Sequence, residues 1–287
     1  HLPDATVRSA KFARHTRHTR EAPHLVRGPG LVIGDNLHLG SAVEIGLSTE
    51  QRLRHTYIIG GSGTGKSTLL ESMVLQDGEA GRGVAVLDPH GDLIDRIAAR
   101  IPEPRISDVI LLDPSDSEYP IPINILSAHS EVERTLLASD LVAGFRRLGS
   151  SWGDQMNSVF GNAVLAFLES SQGGTLLDLR RFLVEKEFRT SHLKTVRDPE
   201  VVYYWEREFP LLRGTPQAPI LTRLDAFLRP KLIRNIVAQT GSALDFRRLM
   251  DERKILLCKL SQGAIGEENA FLLGTLIVSA NGLYIRR

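Results

Sequence analysis

The chain has 287 residues, enough for one large or two modest domains, and its 42% hydrophobic and 24% charged residues are the balance of an ordinary globular protein. A formal charge of +1 argues neither for nor against nucleic acid, since a basic face can sit within a near-neutral total. One cysteine, Cys258, excludes an internal disulfide and fits a reducing cytoplasm, and the longest apolar segment, Phe271 to Ala280, is too short for the roughly 20 residues that span a bilayer. No signal peptide is evident, and the first residue, His1, suggests a piece of a longer chain.

Residues 1–28 are basic, with Arg8, Lys11, Arg14, Arg17, Arg20 and Arg27 beside His15, His18 and His24, and read as a flexible tail or a contact to nucleic acid or acidic lipid. The repeated His-Thr-Arg at 15–17 and 18–20 lacks metal-ligand spacing. Leu31-Val32-Ile33 and Leu37-His38-Leu39 read as short strands around a Gly34-Asp35-Asn36 turn. Tyr57-Ile58-Ile59 reads as a buried strand that leads into Gly60, Gly61, Ser62, Gly63, Thr64, Gly65, Lys66, Ser67 and Thr68, and Ser67 to Gln76 as the helix leading out. Gly60, four residues, then Gly65-Lys66-Ser67 is the Walker A spacing. Glycines at those positions let backbone N–H groups curl around a polyphosphate. Lys66 can reach the β and γ phosphates, Ser67 can hold Mg²⁺, and the helix aims its positive end at the anion.

Gly83 to Asp88 reads as a second buried strand, Leu93 to Ile101 as a helix and Asp108 to Asp113 as a third strand, so the alternation predicts a parallel sheet covered on both faces. Asp88-Pro89-His90-Gly91-Asp92 closes one strand, at the end where such sheets bind ligands. Asp88 is therefore a candidate for metal-bound water and His90 for a phosphate; the alternative is a turn with a helix cap at Asp92. Asp113-Pro114-Ser115-Asp116 repeats the pattern more weakly. Pro114, Pro120 and Pro122 suggest an extended linker, and three helices follow with capping boxes at Ser130 and Glu133, Ser151 and Asp154, and Thr175 and Asp178. Trp152, Met156, Val159, Phe160, Ala163 and Phe167 form a stripe that reads as core. Further helix is expected at 199–208, 217–228 and 230–238, with Pro230 as the break. A strand from Lys254 to Leu260 and a helix from Glu267 to about Ala280 follow, with Cys258 a small buried strand residue. The expected boundaries are a tail at 1–28, core at 29–126, a helical insertion at 127–242 and a return to the core at 243–287.

These segments (IIGGSGTGKSTLLESMVLQD, VAVLDPHGDLIDRI, DVILLDPSDSEYPIPINIL and a helical insertion) resemble the HerA–FtsK superfamily of P-loop ATPases. More narrowly they resemble the coupling ATPases of type IV secretion and conjugation, the TraD/TraG-like DNA-binding domain. The resemblance covers roughly residues 30 to 280. It implies an α/β, RecA-like core with a mostly parallel sheet and an inserted all-α domain, ATP with Mg²⁺, hexameric rings, and DNA threaded through a pore. It also implies secretion-system partners at the membrane and a place in the cytoplasm or at the membrane's inner face. By the same resemblance residues Gly60 to Thr68 take the triphosphate, and Lys66 and Asp88 belong to the catalytic set, with Ser67 and Asp88 at the metal. A hydrolytic ATPase of this kind normally has an acid at the end of another strand, often followed by Glu. No apolar run here ends in Asp-Glu, and Asp251-Glu252 precedes its strand. The family's own acidic pair is expected after the Lys254–Leu260 strand and the next helix, where the sequence ends, as in a fragment, a truncated product or a degenerate copy. The expectations are a DNA-translocating ATPase, a nucleotide-binding module without turnover, or an ATPase that moves protein. Arg223, Arg229 and Arg234, in a basic helical stretch, read as solvated helix faces rather than as an arginine finger. A small-molecule kinase fits the long insertion less well.

Overall fold

Two hydrogen-bonded strands open the described chain, which in this computed structural model comprises residues 19–128, 130–149, 151–241 and 244–285. Residues 1–18, which hold all of the expected basic tail before Thr19 and the first copy of the His-Thr-Arg repeat, lie outside the described residues. The chain divides into two units between Asp77 and Gly78.

In the first unit, β1 (Leu31–His38) pairs antiparallel with β2 (Ser41–Leu47). Gly34-Asp35-Asn36 is not the turn expected; it lies inside β1, and the register slips between Val32 and Gly34. The reversal falls on Leu39 and Gly40, with φ of 48° and 80°. Two positive φ values match the twist of paired strands. Residues 19–27 run beside the hairpin. Asn36 accepts from the Ala22 N–H and donates to the Arg20 carbonyl, and Arg27 pairs with Glu21 at 2.9 Å. A short helix α1 (Thr49–Arg52) begins at Ser48 with a reciprocal cap to Gln51. Helix α2 (Lys66–Glu79) runs two residues past the unit's end. The Gln76 amide holds both backbone groups of Val32 at 2.9 Å, and Arg52 forms a fork on Asp77 at 2.8 and 2.5 Å, so α2 carries the hairpin and α1.

Tyr57-Ile58-Ile59 does not form the buried strand expected. The segment has no strand assignment, and Tyr57 and Ile59 are 87% and 80% exposed. Apolar periodicity supplies a preference for extended backbone, but a strand exists only where a neighbour takes its N–H and C=O groups.

In the second unit, β3 (Val84–Asp88) is followed by α3 (Asp92–Ala98) and β4 (Val109–Leu112). The helices α4 (Glu131–Arg146), α5 (Asp154–Leu168), α6 (Leu176–Val184), α7 (Lys186–Leu193), α8 (Pro199–Tyr203), α9 (Gln217–Leu228), α10 (Lys231–Val237) and α11 (Phe246–Asp251) come next. The chain then returns through β5 (Ile255–Lys259), the short α12 (Gln262–Ile265) and α13 (Glu267–Ile285). All three strands are parallel, and the last one inserts between the other two in the order β3-β5-β4. The α/β class, the parallel sheet and the long helical insertion are thus present as expected.

The central strand alternates between two interiors. Leu256, Cys258 and Leu260 join the large core formed with the helices, and Ile255 and Leu257 face the other side, where α3 buries Ile94 and Ile97. Cover on both faces holds for β5 but not for its neighbours, since Leu111 on β4 remains 46% exposed. The expected stripe on α5 is core: Met156, Val159, Phe160, Ala163 and Phe167 are buried, and Trp152 packs at its edge. Phe145 and Phe160 meet edge to face at 5.0 Å, an arrangement that adds to area burial.

Of the three expected capping boxes, Thr175 with Asp178 is complete. Ser130 caps α4 by accepting from Glu133. Ser151 does not cap α5, whose N-cap is Gly153. Pro230 separates α9 from α10 as expected. Residues 199–208 begin as α-helix but continue as a π-helical turn at Tyr204–Glu208. The proline-rich segment after Asp113 is packed against the helices: Ile123, Ile125 and Leu126 are buried, and the Ile123 N–H donates to the Ile236 carbonyl at 2.9 Å.

Candidate functional site

Gly60 to Thr68 form one continuous loop and helix start in the first unit. Gly63 and Gly65 have φ of 74° and 91°, left-handed values that L side chains resist. At Gly60 the reason for glycine is space, because a Cβ there would lie 2.5 Å from Thr64 Oγ1. That hydroxyl donates to the Gly61 carbonyl at 2.8 Å and closes the loop. Lys66 folds back over it, donating through Nζ to the Gly60 and Gly61 carbonyls at 2.8 and 2.6 Å. Ser67 and Thr68 are exposed. At this end of α2 the Leu69 N–H donates to the Gly65 carbonyl at 2.9 Å, and the N–H groups before it in the helix are the ones that helices leave without an intrahelical acceptor.

These residues fit a polyphosphate. The loop is open to solvent, its cation rests on carbonyls it can leave for a phosphate, and a helix of 14 residues points its donors at the same place. For Mg²⁺ the fit is narrower. Among the described residues no cluster of three or more His, Cys, Asp or Glu could hold a metal. A Mg²⁺ ion at the loop would rest on the Ser67 hydroxyl, phosphate oxygens and water, a set this ion accepts.

Asp88 belongs to the second unit, at the carboxyl end of β3. It is buried, and both carboxylate oxygens are engaged by its own turn: Oδ1 accepts from the His90 N–H at 3.0 Å and Oδ2 from the Leu93 N–H at 2.8 Å. Asp88 thus performs the capping considered for Asp92, while the N-cap position of α3 falls on Gly91. The His90 side chain is exposed. Asp113 shapes its turn likewise, accepting from the Ser115 N–H and hydroxyl at 2.9 and 2.6 Å.

Sequence patterns did not single out Lys259. Register places it opposite Asp88 at the end of β5. Its ammonium sits on Asp95 at 2.8 and 2.9 Å, with Asp113 Oδ2 at 3.8 Å. The Asp95 hydrogen bonds, with the charges of Asp95, Asp113 and Asp92, raise its pKa above the ordinary lysine value. Immediately beyond, Ser261 adopts φ 44° and ψ 53°. A non-glycine residue there costs about 1 kcal/mol or more and marks a strand end under constraint. The Leu260 and Gln262 N–H groups hold it by bonding the Asp88 and Pro89 carbonyls at 2.9 Å each. A lysine at the end of an apolar strand, in a chain with two Asp-Pro strand ends, was the available signal.

Arg223 is not a solvated residue. It is buried, donates to the Pro219 and Ser151 carbonyls at 3.1 and 2.6 Å, and lies over the Trp152 ring at 5.2 Å. Asp251 and Glu252 precede β5, as the sequence indicated, and pair with Arg247 and Arg248. Burial pushes the Cys258 thiol up to about 12, which fits an inert strand residue.

No curated protein matches the chain. Among solved structures, it is similar to the bacterial conjugative coupling protein TrwBdeltaN70 in an unbound form, with a TM-score of 0.47 and 12% identity over 77% of this chain and 49% of that one. It is also similar to the plasmid coupling protein TrwB with the GTP analogue GDPNP (TM-score 0.49, 14% identity) and with ADP and Mg²⁺ (TM-score 0.47, 15% identity), each over 77% of this chain and 51% of the other. The chain spans about half the length of these structures. Residues 40–197, more than half of the chain, match the family described as the type IV secretion-system coupling protein DNA-binding domain, and the chain belongs to that family.

Proposed function

We propose that this chain is the nucleotide-binding motor domain of a DNA-translocating coupling ATPase of a conjugation or type IV secretion system. The observation that carries the reading is the Gly60–Thr68 loop, with Lys66 held by two carbonyls that a phosphate would replace as its partner. Backbone N–H groups at Gly63 and Gly65 and the start of α2 would bind the β and γ oxygens. Lys66 would neutralise charge that develops on the γ-phosphate, and Ser67 would hold Mg²⁺. Asp88 is proposed to belong to the same machinery and to keep the turn after β3 in shape through its two backbone bonds. DNA as the cargo rests on membership of the family. Assembly into a hexameric ring and work beside the membrane with secretion components extend the same proposal.

A second reading, nucleotide binding without turnover, is favoured by one observation: Asp251 and Glu252 precede β5 and are engaged in surface pairs with Arg247 and Arg248. Binding and turnover of Mg²⁺·ATP by the chain and by Lys66→Ala separate the two. Turnover lost in Lys66→Ala supports the motor. Binding that Lys66→Ala weakens, with no turnover in either protein, supports the second reading. A folded chain that binds no Mg²⁺·ATP overturns both.

A further inference from the structure

Helix α9 ends at Leu228, and Arg229 and Pro230 carry the chain into α10. Arg234 reaches back from α10, and its Nη1 donates to the Leu228 and Arg229 carbonyls at 3.0 and 2.6 Å. These carbonyls belong to the negative end of α9, so the guanidinium offsets the partial charge that would otherwise repel an anion. From α6, Arg180 approaches the same place and pairs with Asp225 at 2.8 Å. Between them lies a cavity of about 250 Å³ lined by Leu177, Arg180, Asp225, Leu228, Arg229 and Arg234. Three guanidiniums thus face a single carboxylate, and Arg229 is exposed at the rim.

We propose that this cavity seats a phosphate of a nucleic-acid backbone, bound by Arg229 and Arg234 with Arg180 at the edge. The inference rests on the proposed DNA cargo and deepens it by naming a contact. Arginine forks match phosphate oxygens two at a time, and Asp225 holds Arg180 in place. The cavity is smaller than the roughly 300–1,000 Å³ of sites that enclose a whole small molecule, which suits a single anionic group. Its lining has no aromatic residue, so no base stacks there, and the contact positions the strand without reading its sequence. Arg181, next along α6, is occupied by Glu185 at 3.0 Å and takes no part.

The test uses labelled oligonucleotides of two unrelated sequences, single- and double-stranded, titrated with the full chain between about 50 and 200 mM salt. The variants are Arg229→Ala, Arg229→Lys and Arg180→Ala/Arg229→Ala. For each phosphate that a variant no longer neutralises, the slope of log affinity against log salt is expected to fall by about 0.7–0.9, equally for both sequences. Arg229→Lys retains most of the slope, and Mg²⁺·ATP binding and thermal unfolding stay unchanged. Wild-type DNA binding with an unaltered slope in the double variant overturns the inference and leaves the DNA cargo standing. A wild-type chain that binds no DNA overturns both. Variants that lose binding to a polyglutamate peptide but not to DNA assign the cavity to peptide carboxylates and also overturn the inference.

Discussion

Gly60→Ala tests whether the loop geometry sets nucleotide affinity. Gly60 does not have a positive φ, so alanine is acceptable to the backbone, and the perturbation is one of space. The new Cβ would lie 2.5 Å from Thr64 Oγ1, where uncharged heavy atoms usually keep about 3.5 Å. Thr64 must rotate and give up its 2.8 Å bond to the Gly61 carbonyl. Such a bond contributes about 0.5–1.5 kcal/mol. On the proposed function it holds the loop in the shape that would cradle phosphate, so its loss should appear as affinity: at about 1.4 kcal/mol per tenfold, the Kd for Mg²⁺·ATP is expected to rise about two- to tenfold. The assay is titration calorimetry with Mg²⁺·ATP, accompanied by thermal unfolding, which is expected to move little because the loop is exposed. Thr64→Ala removes both the bond and the obstructing atom, so Gly60→Ala/Thr64→Ala should bind no worse than Thr64→Ala alone. Wild-type affinity in Gly60→Ala, or costs that add in full in the double variant, would refute the reasoning.

Three other outcomes are expected. Cys258, fully buried with its thiol pushed up to about 12, should stay unreactive to a disulfide reagent near pH 8 and react once the chain is unfolded; rapid native reaction would contradict its burial. His192 stacks on Phe167 at 4.2 Å, and burial lowers its pKa, an effect partly offset by its bond to the Ala166 carbonyl. The unfolded chain therefore takes up the proton first as pH falls through about 6.5, so the melting temperature should drop from about pH 7 to pH 5, and less steeply in His192→Phe. Equal slopes would remove His192 as the cause. Thr175→Ala deletes a buried N-cap whose hydroxyl bonds Asp178 at 2.9 Å, and denaturant unfolding should show a loss of about 1–2 kcal/mol; an unchanged midpoint would mean the cap contributes nothing to α6.

Some of the architecture was legible because its causes are local. The apolar runs at β3, β4 and β5, the stripe on α5, the cap at Thr175 and the break at Pro230 each depend on residues within a turn or two of one another. The loop at 60–68 was legible for the same reason, since glycine spacing and the helix after it lie within one stretch of chain. Where partners are distant, local patterns misled. Gly34-Asp35-Asn36 has good turn chemistry, yet pairing with β2 placed the reversal at Leu39-Gly40. Tyr57–Ile59 has the composition of a strand, yet it forms none, and Tyr57 and Ile59 are exposed.

The sequence by itself therefore determined the class of the protein, the glycine-rich loop and the family, because composition, periodicity and a contiguous motif are properties of the chain read in order. Only the tertiary structure decided that β5 inserts between β3 and β4, that Lys259 meets Asp95 across 164 residues, and that Arg223 is buried while Arg180, Arg229 and Arg234 surround one cavity. The physical reason is that strand order, ion-pair partners and cavities are contacts between segments remote in sequence. Their energies depend on which surfaces meet, and no local pattern encodes that meeting.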